Sequence, residues 1–523
     1  MKMQVSRTQV RSLQWVAAMS ILFVLTIPAR VAAQIHKDHR PDNQHHHYKL
    51  TDIGTLGGPA AYQSLCAPGY KILNNSGVVA ATADTPMPDP FAPNCFNANC
   101  LVDHTVQWRD GVLSDLGALP GSGNSSGACA INDHGWVAGG SLTGAIDPGT
   151  GLPVNDGIIW KDGQLIDLGT FGGQFTVGIT LNNAGQVVGF SLNTIPDPYA
   201  YALFLGTTQS RAILWQDGVL QDLGTLGTGN DAVAFSVNDR GQVAGVSYTN
   251  ATPNPTTGLP TMHPFVWDHG TMTDLGTLGG TEGGEFLLGF ESALLINNRG
   301  QVMGTSTLAG DQVIHPFLWS HGVMTDLGTL GGDNGAAIWL SDTSAVVGDA
   351  DLPNSPPGCQ SISCVHHAFF WKRGVMTDLG TLGTDQCSRA LSVNSKDQVV
   401  GDSIAVCGFN SSGAFLWENG GPIIDLNTLI PTDSRVFLYE ADNINERGEI
   451  LASGLPPGCN AAESCGHVYL LTPSDEDDVS GRESTKATAI PATSSDSRSV
   501  INPSQSWFRQ RYRMLGQPPA LRH

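Results

Sequence analysis

Histidine and aspartate recur along this 523-residue chain within one repeated phrase, which is clearest at residues 315–332 as HPFLWSHGVMTDLGTLGG. Imidazole and carboxylate groups, if clustered, would suit the acid–base chemistry of a glycosidase or a polysaccharide lyase. The aspartate of the D-L-G portion is found at Asp52, Asp115, Asp167, Asp222, Asp274, Asp326, Asp378 and Asp425. Its spacing of 47 to 63 residues indicates an array built from one supersecondary unit.

The histidine of the phrase is not present in every repeat. It is retained at His104, His263, His315, His367 and His467. It is replaced at Asp156, Arg211 and Gly413, so it is not an obligatory ligand in each repeat. A residue that recurs once per repeat usually packs or hydrogen-bonds that repeat, and we therefore predict a structural role for the phrase.

Other motifs do not predict a catalytic centre. Residues 123–127 match G-x-S-x-G, but a nucleophile elbow needs a strand, a turn and a helix in a parallel sheet, whereas this match lies in a Gly/Ser-rich loop. The chain has neither an H-E-x-x-H motif nor a phosphate-binding loop, and the acidic run 475–478 lacks EF-hand spacing. We predict no catalytic, cofactor-binding or metal-binding residue, and no cofactor.

Residues 1–33 have the pattern of a secretory signal peptide. Basic residues precede an apolar stretch at 16–27, and Val31-Ala32-Ala33 ends it in the manner of a cleavage site. That stretch is shorter than the roughly 20 residues of a spanning helix, and no later segment is apolar enough to span a membrane. The sequence predicts a secreted or periplasmic protein.

The segment 34–47 is rich in histidine. Cleavage before Gln34 would expose Gln34-Ile35-His36, whose amine, backbone amides and imidazole could enclose Cu(II) or Ni(II). Gln34 can instead cyclise, and short His tracts are commonly disordered. We predict a disordered linker here, and a disordered tail at 474–523, where few residues are apolar before Trp507.

The chain has ten cysteines, an even number that fits an exported protein with disulfide bonds. Three close pairs precede the third strand of three repeats, and we predict that each forms a local bridge. A four-cysteine metal site is disfavoured because these pairs lie in separate repeats. The predicted pairs are Cys95/Cys100, Cys359/Cys364, Cys459/Cys465, Cys66/Cys129 and Cys387/Cys407.

Four short segments recur in each repeat and predict four strands. In the clearest repeat they are 294–297, 300–304, 315–319 and 323–327, each rich in β-branched and aromatic residues. A turn of X-Gly type joins the third to the fourth, as in His321-Gly322. That turn places Phe317 opposite Asp326, so we expect the Asp on the apolar, aromatic face.

A four-stranded antiparallel unit that repeats about every 50 residues is typical of a β-propeller blade. The region 48–473 begins with a fourth-strand phrase and ends with a third-strand phrase, so we predict that strands from both termini complete one blade. The predicted fold is all-β with eight blades; seven blades and an open solenoid are the alternatives.

The combination of His367-Ala368-Phe369, the N-x-x-G-Q-V-V-G hairpin and D-L-G-T-L-G-G resembles the extracellular HAF repeat family. The resemblance covers nearly all of residues 48–473. It implies a bacterial exported protein and no assigned reaction.

The longest departures from the repeat all fall between the second and third strands, so we expect them on one face. They are 82–100, 142–155, 192–210, 248–262 and 352–364. Clustered insertions often form the binding face of a repeat array. We therefore predict a non-catalytic monomer that binds a protein or glycan; a polysaccharide-acting enzyme and a structural envelope component are the alternatives. The net charge of −21 disfavours nucleic acid as a partner.

Overall fold

The computed structural model describes residues 47–474, apart from gaps at 64–65, 67–68, 93–94, 96, 98, 122, 201–207, 256, 285–292, 354, 356–363 and 409–410. The predicted signal peptide, the histidine-rich segment up to residue 46 and the tail from residue 475 lie outside the described residues. The described residues belong to one compact unit that consists almost entirely of antiparallel strands.

Eight successive groups of strands, which we call repeats 1 to 8, follow the predicted four-strand order. The first strands are β2 (Ala61–Tyr62), β6 (Ser126–Ile131), β10 (Thr176–Leu181), β14 (Ala232–Val237), β18 with β19 (Gly279–Gly284 and Leu295–Ile296), β23 (Gly335–Leu340), β27 (Cys387–Val393) and β31 (Phe437–Ile444). The second strands are β3 (Val79–Pro88), β7 (Val137–Ile146), β11 (Val187–Pro196), β15 (Val243–Pro253), β20 (Val302–Leu308), β24 (Val346–Asp351), β28 (Val399–Ile404) and β32 (Ile450–Leu455).

The outer two strands of each repeat complete the sheet. The third strands are β4 (Leu101–Arg109), β8 (Pro153–Lys161), β12 (Thr208–Gln216), β16 (Pro260–Asp268), β21 (Ile314–Ser320), β25 (His366–Lys372), β29 (Gly413–Trp417) and β33 (His467–Ser474). The fourth strands are β5 (Val112–Gly117), β9 (Gln164–Asp167), β13 (Val219–Asp222), β17 (Thr271–Asp274), β22 (Val323–Asp326), β26 (Val375–Gly380), β30 (Ile424–Asp425) and, in repeat 8, β1 (His47–Asp52). The described helices are short: α1 (Ala462–Cys465) and two 3-10 turns at Leu426–Thr428 and Thr432–Ser434.

Strands from both termini share one sheet, as predicted. β1 pairs with β33 in antiparallel register, from His47 opposite Ser474 to Asp52 opposite Tyr469. The sheets of repeats 4 and 5 are joined through one parallel bridge between Met262 and Glu282. The number of blades stays a prediction.

The predicted X-Gly turns between third and fourth strands are confirmed. Seven non-glycine residues, from His269 at φ 47° to Asn419 at φ 58°, each precede a glycine that also has positive φ. Two successive residues at positive φ form the tight hairpin turn that matches the twist of the two strands. The turn fixes the register, and Phe317 lies opposite Asp326 as predicted.

The glycine in the middle of the second strand is explained by a bulge in the first. In repeat 3, the register of β10 against β11 shifts between Gly178 and Thr180. A Cβ atom on Gly189 would lie 2.0 Å from the carbonyl oxygen of Val177. Only glycine therefore fits where the two backbones approach this closely.

A ladder of buried asparagines joins the turns between first and second strands. Each asparagine side chain donates to the backbone carbonyl of the corresponding residue in the next repeat, over 2.9–3.1 Å. The steps run from Asn74 to Asn132, Asn182, Asn238, Asn297 and Ser341, and then from Asn394 to Asn445 and back to Asn74. The last step joins repeat 8 to repeat 1, so the ladder returns to its start.

Apolar residues between adjacent sheets form most of the core. In one cluster, Ala138 and Ile159 of repeat 2 pack against Val187 and Trp215 of repeat 3. Each sheet buries one face against the next repeat, as expected of a repeat array. We call the end of the sheets that carries the asparagine ladder and the X-Gly turns the turn end, and the opposite end the insertion end.

Candidate functional site

The aspartate of the D-L-G phrase caps a turn in all eight repeats. Its carboxylate accepts a hydrogen bond from the backbone N–H two residues later, over 2.7–2.9 Å. In repeat 5 the donor is Gly328, which has φ 73°. Such a turn starts the connection to the next repeat. The phrase therefore has a structural role at this position.

The histidine of the phrase binds the same aspartate. The five His–Asp pairs have distances of 2.7–3.0 Å from Nδ1 to the carboxylate, and Arg211 takes this place beside Asp222 at 2.9 Å. Each His–Asp pair therefore links the third strand to the fourth, and we call these pairs the histidine straps. Burial raises the pKa of Asp378, but the hydrogen bonds from His367 and Gly380 outweigh it, and the pKa lies below its ordinary value.

One expectation about this aspartate is wrong. The register places Asp326 opposite Phe317, but its side chain is 42% exposed and does not lie in the aromatic core. β22 is the outermost strand and ends at Asp326, so the carboxylate turns towards Gly328 and His315.

Repeat 2 breaks the pattern because Asp156 stands where the histidine would be. Burial and the negative charge of Asp167 raise the pKa of Asp156 to about 6. Asp167 lies opposite Ile158 and is thus the diagonal neighbour of Asp156, close enough for the two like charges to repel each other. This contact costs stability and has no counterpart in the repeats that retain histidine.

The predicted insertions lie between second and third strands, at the insertion end. Part of the insertion in repeat 3 and most of the insertion in repeat 6 fall on residues that the structure does not describe. In repeats 1 to 4 the insertions lengthen both strands into projecting hairpins, and their register shifts where each hairpin leaves the sheet.

Three of these hairpins expose large apolar side chains near their tips. Met87, Ile146 and Ile195 belong to repeats 1, 2 and 3, and their exposed fractions are 48%, 49% and 54%. The repeats are consecutive, and β10 of repeat 3 contacts β7 of repeat 2. The insertion end therefore presents apolar groups on three neighbouring hairpins.

The cysteines confirm the predicted pairing where they are described. Bridges join Cys66 to Cys129, Cys95 to Cys100, Cys387 to Cys407 and Cys459 to Cys465. Cys364 is disulfide-bonded, and Cys359 lies outside the described residues.

A segment of repeat 1, described at Cys66, Gly69 and Tyr70, lies against the first strands of other repeats. Cys66 is bridged to Cys129 on the bulged strand β6. Gly69 lies against repeats 5 and 6, since a Cβ atom there would be 2.7 Å from both the Ala293 methyl group and the Ile338 carbonyl oxygen. Tyr70 is buried in the largest apolar cluster. Gly69 and Tyr70 of repeat 1 therefore pack against residues of distant repeats.

A buried charged cluster lies beside this segment in repeats 7 and 8. The Arg389 guanidinium donates to both carboxylate oxygens of Asp402, over 3.0 and 2.9 Å. The same group lies 3.5 Å from Glu440. Asp402 and Glu440 are buried, and Ser411 donates to Asp402. The cluster holds more carboxylates than cations among the residues described.

Asp442 belongs to the same cluster. Its carboxylate accepts a hydrogen bond from Gln63, which also donates to Ser453 over 2.8 Å. Burial and the Asp402 charge raise the pKa of Asp442 to about 7, although Arg389 and Gln63 oppose the rise. A carboxyl group that titrates near neutrality is a common feature of functional sites.

The repeat pattern does not predict this cluster, although the sequence carries a signal for it. The position three residues before the ladder position holds Asp442 in repeat 8 and Lys71 in repeat 1. In the other six repeats it holds an apolar residue: Cys129, Ile179, Phe235, Leu294, Ile338 or Leu391. Five residues before the ladder position, Val177 and Val233 correspond to Arg389 and Glu440. A charged residue at an otherwise apolar position of an inner strand marks a departure from the repeat.

The G-x-S-x-G match does not form a nucleophile elbow. Ser126 begins the antiparallel strand β6, and its hydroxyl donates to the carbonyl of Gly117. The Ser125 hydroxyl accepts from the backbone N–H of Asp103. Within the described residues, no group of three or more His, Cys, Asp or Glu side chains is arranged to hold a metal ion. No helix of the described chain is long and apolar enough to span a membrane.

Comparisons with known proteins find low similarity to several solved structures. No family model matches the chain, and no curated protein matches it. Similar solved structures include the β-propeller domain of the Trilobed protease from Pyrococcus furiosus, with 10% identity over 59% of this chain and 80% of that chain and a TM-score of 0.34. A PL25 ulvan lyase shares 11% identity over 82% of this chain and 98% of that chain, with a TM-score of 0.35.

A third similar structure is YCF48 bound to D1 peptide, with 9% identity over 83% of this chain and 96% of that chain and a TM-score of 0.32. The likeness at these identities concerns the fold alone. The repeated four-stranded antiparallel sheets of the chain itself show an all-β protein of the β-propeller class.

Proposed function

We propose that this protein is an exported, non-catalytic β-propeller that docks a partner protein on its insertion end. The observation that carries the proposal is the exposure of Met87, Ile146 and Ile195 on three neighbouring hairpins. Exposed apolar groups that cluster among polar residues are typical of protein-binding surfaces. The partner's surface would combine apolar groups with positive charge, because the chain has a net charge of −21.

Export is supported by the disulfide bonds. Four bridges are described, and disulfides persist in oxidising compartments and are rare in the cytosol. Residues 1–33, which have the pattern of a secretory signal peptide, would direct this export. The HAF-like phrases agree with an exported protein.

The interior of the propeller supports binding rather than catalysis. Arg389 donates two hydrogen bonds to Asp402, and the carboxylate of Asp442 accepts a hydrogen bond from Gln63. Cys66 and Tyr70 are buried in an apolar cluster with residues of the first strands, among them Val177 and Val233. A catalytic acid or base must reach the reacting group of a bound substrate.

The proposal is tested with two triple variants of the purified protein. One places aspartate at Met87, Ile146 and Ile195; the matched control places aspartate at Val219, Val323 and Val375, which follow X-Gly turns at the turn end and are 62–66% exposed. Each immobilised protein is incubated with the extracytoplasmic fraction of the source cells. We expect a partner retained by the unmodified protein and the control to be lost from the insertion-end variant. Equal retention by all three would contradict the proposal.

An enzyme acting on polysaccharide is the second candidate, and the pKa of Asp442 near 7 is the observation that favours it. Incubating the protein with a panel of acidic and neutral polysaccharides tests it. Turnover that is lost in Asp442→Asn and kept in Asp342→Asn, an exposed change at the turn end, would replace the binding proposal. A purely structural envelope component would bind no soluble candidate and show no turnover.

A further inference from the structure

Two carboxyl groups face each other inside repeat 1. Asp84 on β3 lies directly opposite Asp103 on β4, and both side chains are fully buried. The two carboxyl groups are in contact. Neither oxygen of Asp103, nor Oδ1 of Asp84, has a hydrogen-bond partner among the described residues. Buried carboxylates without donors are costly, so the pair calls for a further group that satisfies its oxygens.

The surroundings of the pair are rich in oxygen and amide groups. Oδ2 of Asp84 accepts from the backbone N–H of Ala60 over 3.2 Å and from Nδ2 of Asn99 over 2.7 Å. Asn97 is buried and approaches Asp103 outside hydrogen-bond geometry. The Cys95–Cys100 disulfide closes the short loop that carries both asparagines. Asn97 and Asn99 therefore lie beside the carboxyl pair.

The other repeats show that two carboxyl groups are unusual at this register position. The corresponding cross-strand pairs are Leu142/Asn155, Leu192/Ser210, Tyr248/Met262, Thr307/Ile314 and Asp351/His366. In repeat 6, Asp351 faces His366 and accepts from Asn334 over 3.0 Å. Repeat 1 alone among these places like charges opposite each other, an arrangement that is unfavourable without a third group.

We propose that Asp84 and Asp103 bind a calcium ion at the insertion end of repeat 1. Calcium takes six to eight oxygen ligands, among which carboxylates combine with amide, carbonyl and water oxygens. Two carboxylates would offset its charge, and the side-chain oxygens of Asn97 and Asn99 together with water would complete the shell. Asp89 is also buried nearby, and its charge adds to the negative field at Asp103. The ion would fasten the disulfide-closed loop to the hairpin that carries Met87.

The alternative is that the pair shares a proton. Burial raises the pKa of Asp103, and the contact with Asp84 raises it further. A shared proton would stabilise the protein at lower pH and would make it indifferent to calcium. A bound ion would stabilise the protein at neutral pH.

The test measures thermal unfolding of the full protein at pH 7.5 after treatment with EDTA. Calcium chloride at about 100 times Kd should raise Tm by about 3 °C for a chain of this size. Magnesium at the same concentration should have a smaller effect, because its rigid octahedral shell fits such a site poorly. Asp103→Asn and Asp84→Asn should each abolish the calcium shift, whereas the matched variant Asp351→Asn in repeat 6 should keep it.

Calcium titration calorimetry on the unmodified protein does not depend on the folding of any variant. Heat with a stoichiometry of one, lost in either repeat 1 variant that folds, would support the site. An unchanged Tm and no heat at pH 7.5, with Tm rising as the pH falls towards 5, would overturn it in favour of a shared proton.

Discussion

The turn end and the insertion end of this propeller are built from the same repeat, yet they differ in how their polar groups are satisfied. At the turn end, buried asparagines bind one another's backbones from repeat to repeat. At the insertion end, the repeats diverge, and burial raises the pKa of carboxyl groups at Asp84, Asp103, Asp156, Glu282 and Asp351.

This difference indicates that the two ends of each sheet have different roles. The turn end closes the array and requires the same residue in nearly every repeat. The insertion end is free to vary, and it has accumulated groups whose burial lowers stability. Departures from the local rules of a fold are expected at functional sites, and they are found here at the insertion end.

The largest effect should come from breaking the asparagine ladder where the last repeat meets the first. Asn445 is buried, donates to the Asn74 carbonyl and accepts from the backbone N–H groups of Arg447 and Glu449. Asn445→Ala leaves these groups without partners, and we expect a loss of about 3 kcal/mol in the free energy of unfolding. Urea unfolding at pH 7 measures it.

Asn250→Ala at the insertion end is the matched control. This half-exposed side chain accepts from Thr252 and donates to Thr249 within its own hairpin. Its removal should cost less than about 0.5 kcal/mol. If Asn445→Ala and Asn250→Ala lowered the free energy of unfolding equally, the asparagine ladder would contribute no more to stability than a hydrogen bond within one hairpin.

The next largest effect should be a gain at the insertion end. The folded-state pKa of Asp156 is raised to about 6, above its unfolded value, so at pH 7 the folded state bears the cost of the charged form. Asp156→Asn should therefore raise the free energy of unfolding at pH 7 by about 1 kcal/mol, a value reduced for the partial exposure of the side chain.

The sign of this effect makes it distinctive. The advantage of Asp156→Asn should shrink as the pH falls through 6 towards 4, because the native carboxyl group then becomes neutral. Asp156→His, which creates the His–Asp pair of the other repeats, should also stabilise. A destabilising Asp156→Asn at pH 7 would show that the contact with Asp167 is not repulsive.

A smaller gain is expected at the turn end, where Ser341 interrupts the ladder. Asn297 donates to the Ser341 carbonyl, but the serine side chain is too short to reach the next repeat and instead accepts from Thr343 and Ala345. Ser341→Asn should restore the missing step towards Asn394 and add about 0.7 kcal/mol, since a net intramolecular hydrogen bond contributes about 1 ± 0.5 kcal/mol. Urea unfolding at pH 7 measures it. A loss of stability would mean that the space beside Ser341 does not admit the longer side chain.

The sequence predicted the strands, the turns, the place of the insertions and the described disulfides well, and it predicted the buried charged groups poorly, for a physical reason. The X-Gly turns, the register of Phe317 against Asp326 and the pairing of β1 with β33 follow from local patterns that recur many times. The exposure of the Asp326 side chain could not be predicted in this way. The alternation of residues along a strand predicts which face of the sheet a side chain lies on, but it does not predict that the strand is the outermost one and ends at this residue.

The charged cluster and the carboxyl pair depend on contacts that the repeat does not encode. Arg389 meets Asp402 within one hairpin, but Asp442 meets Gln63 across 379 positions of the chain. The segment through Cys66 and Tyr70 crosses to distant repeats. Aligning the repeats would have flagged Asp442 and Asp103 as departures, although not what surrounds them.

The smallest effect concerns the pH dependence of the histidine straps at the insertion end. A hydrogen bond to Asp52 raises the pKa of His467 in the folded protein. The pair therefore contributes stability that is complete below the unfolded pKa of about 6.5 and is lost as the pH rises through the higher folded value. For a half-exposed pair this contribution is about 0.5 kcal/mol.

His467→Gln should thus lower the free energy of unfolding more at pH 5.5 than at pH 8.5. Arg211→Gln is the matched control, because a guanidinium keeps its charge and its bond to Asp222 across this range, so its cost should not vary with pH. If both variants gave the same profile between pH 5.5 and 8.5, the straps would act through packing alone.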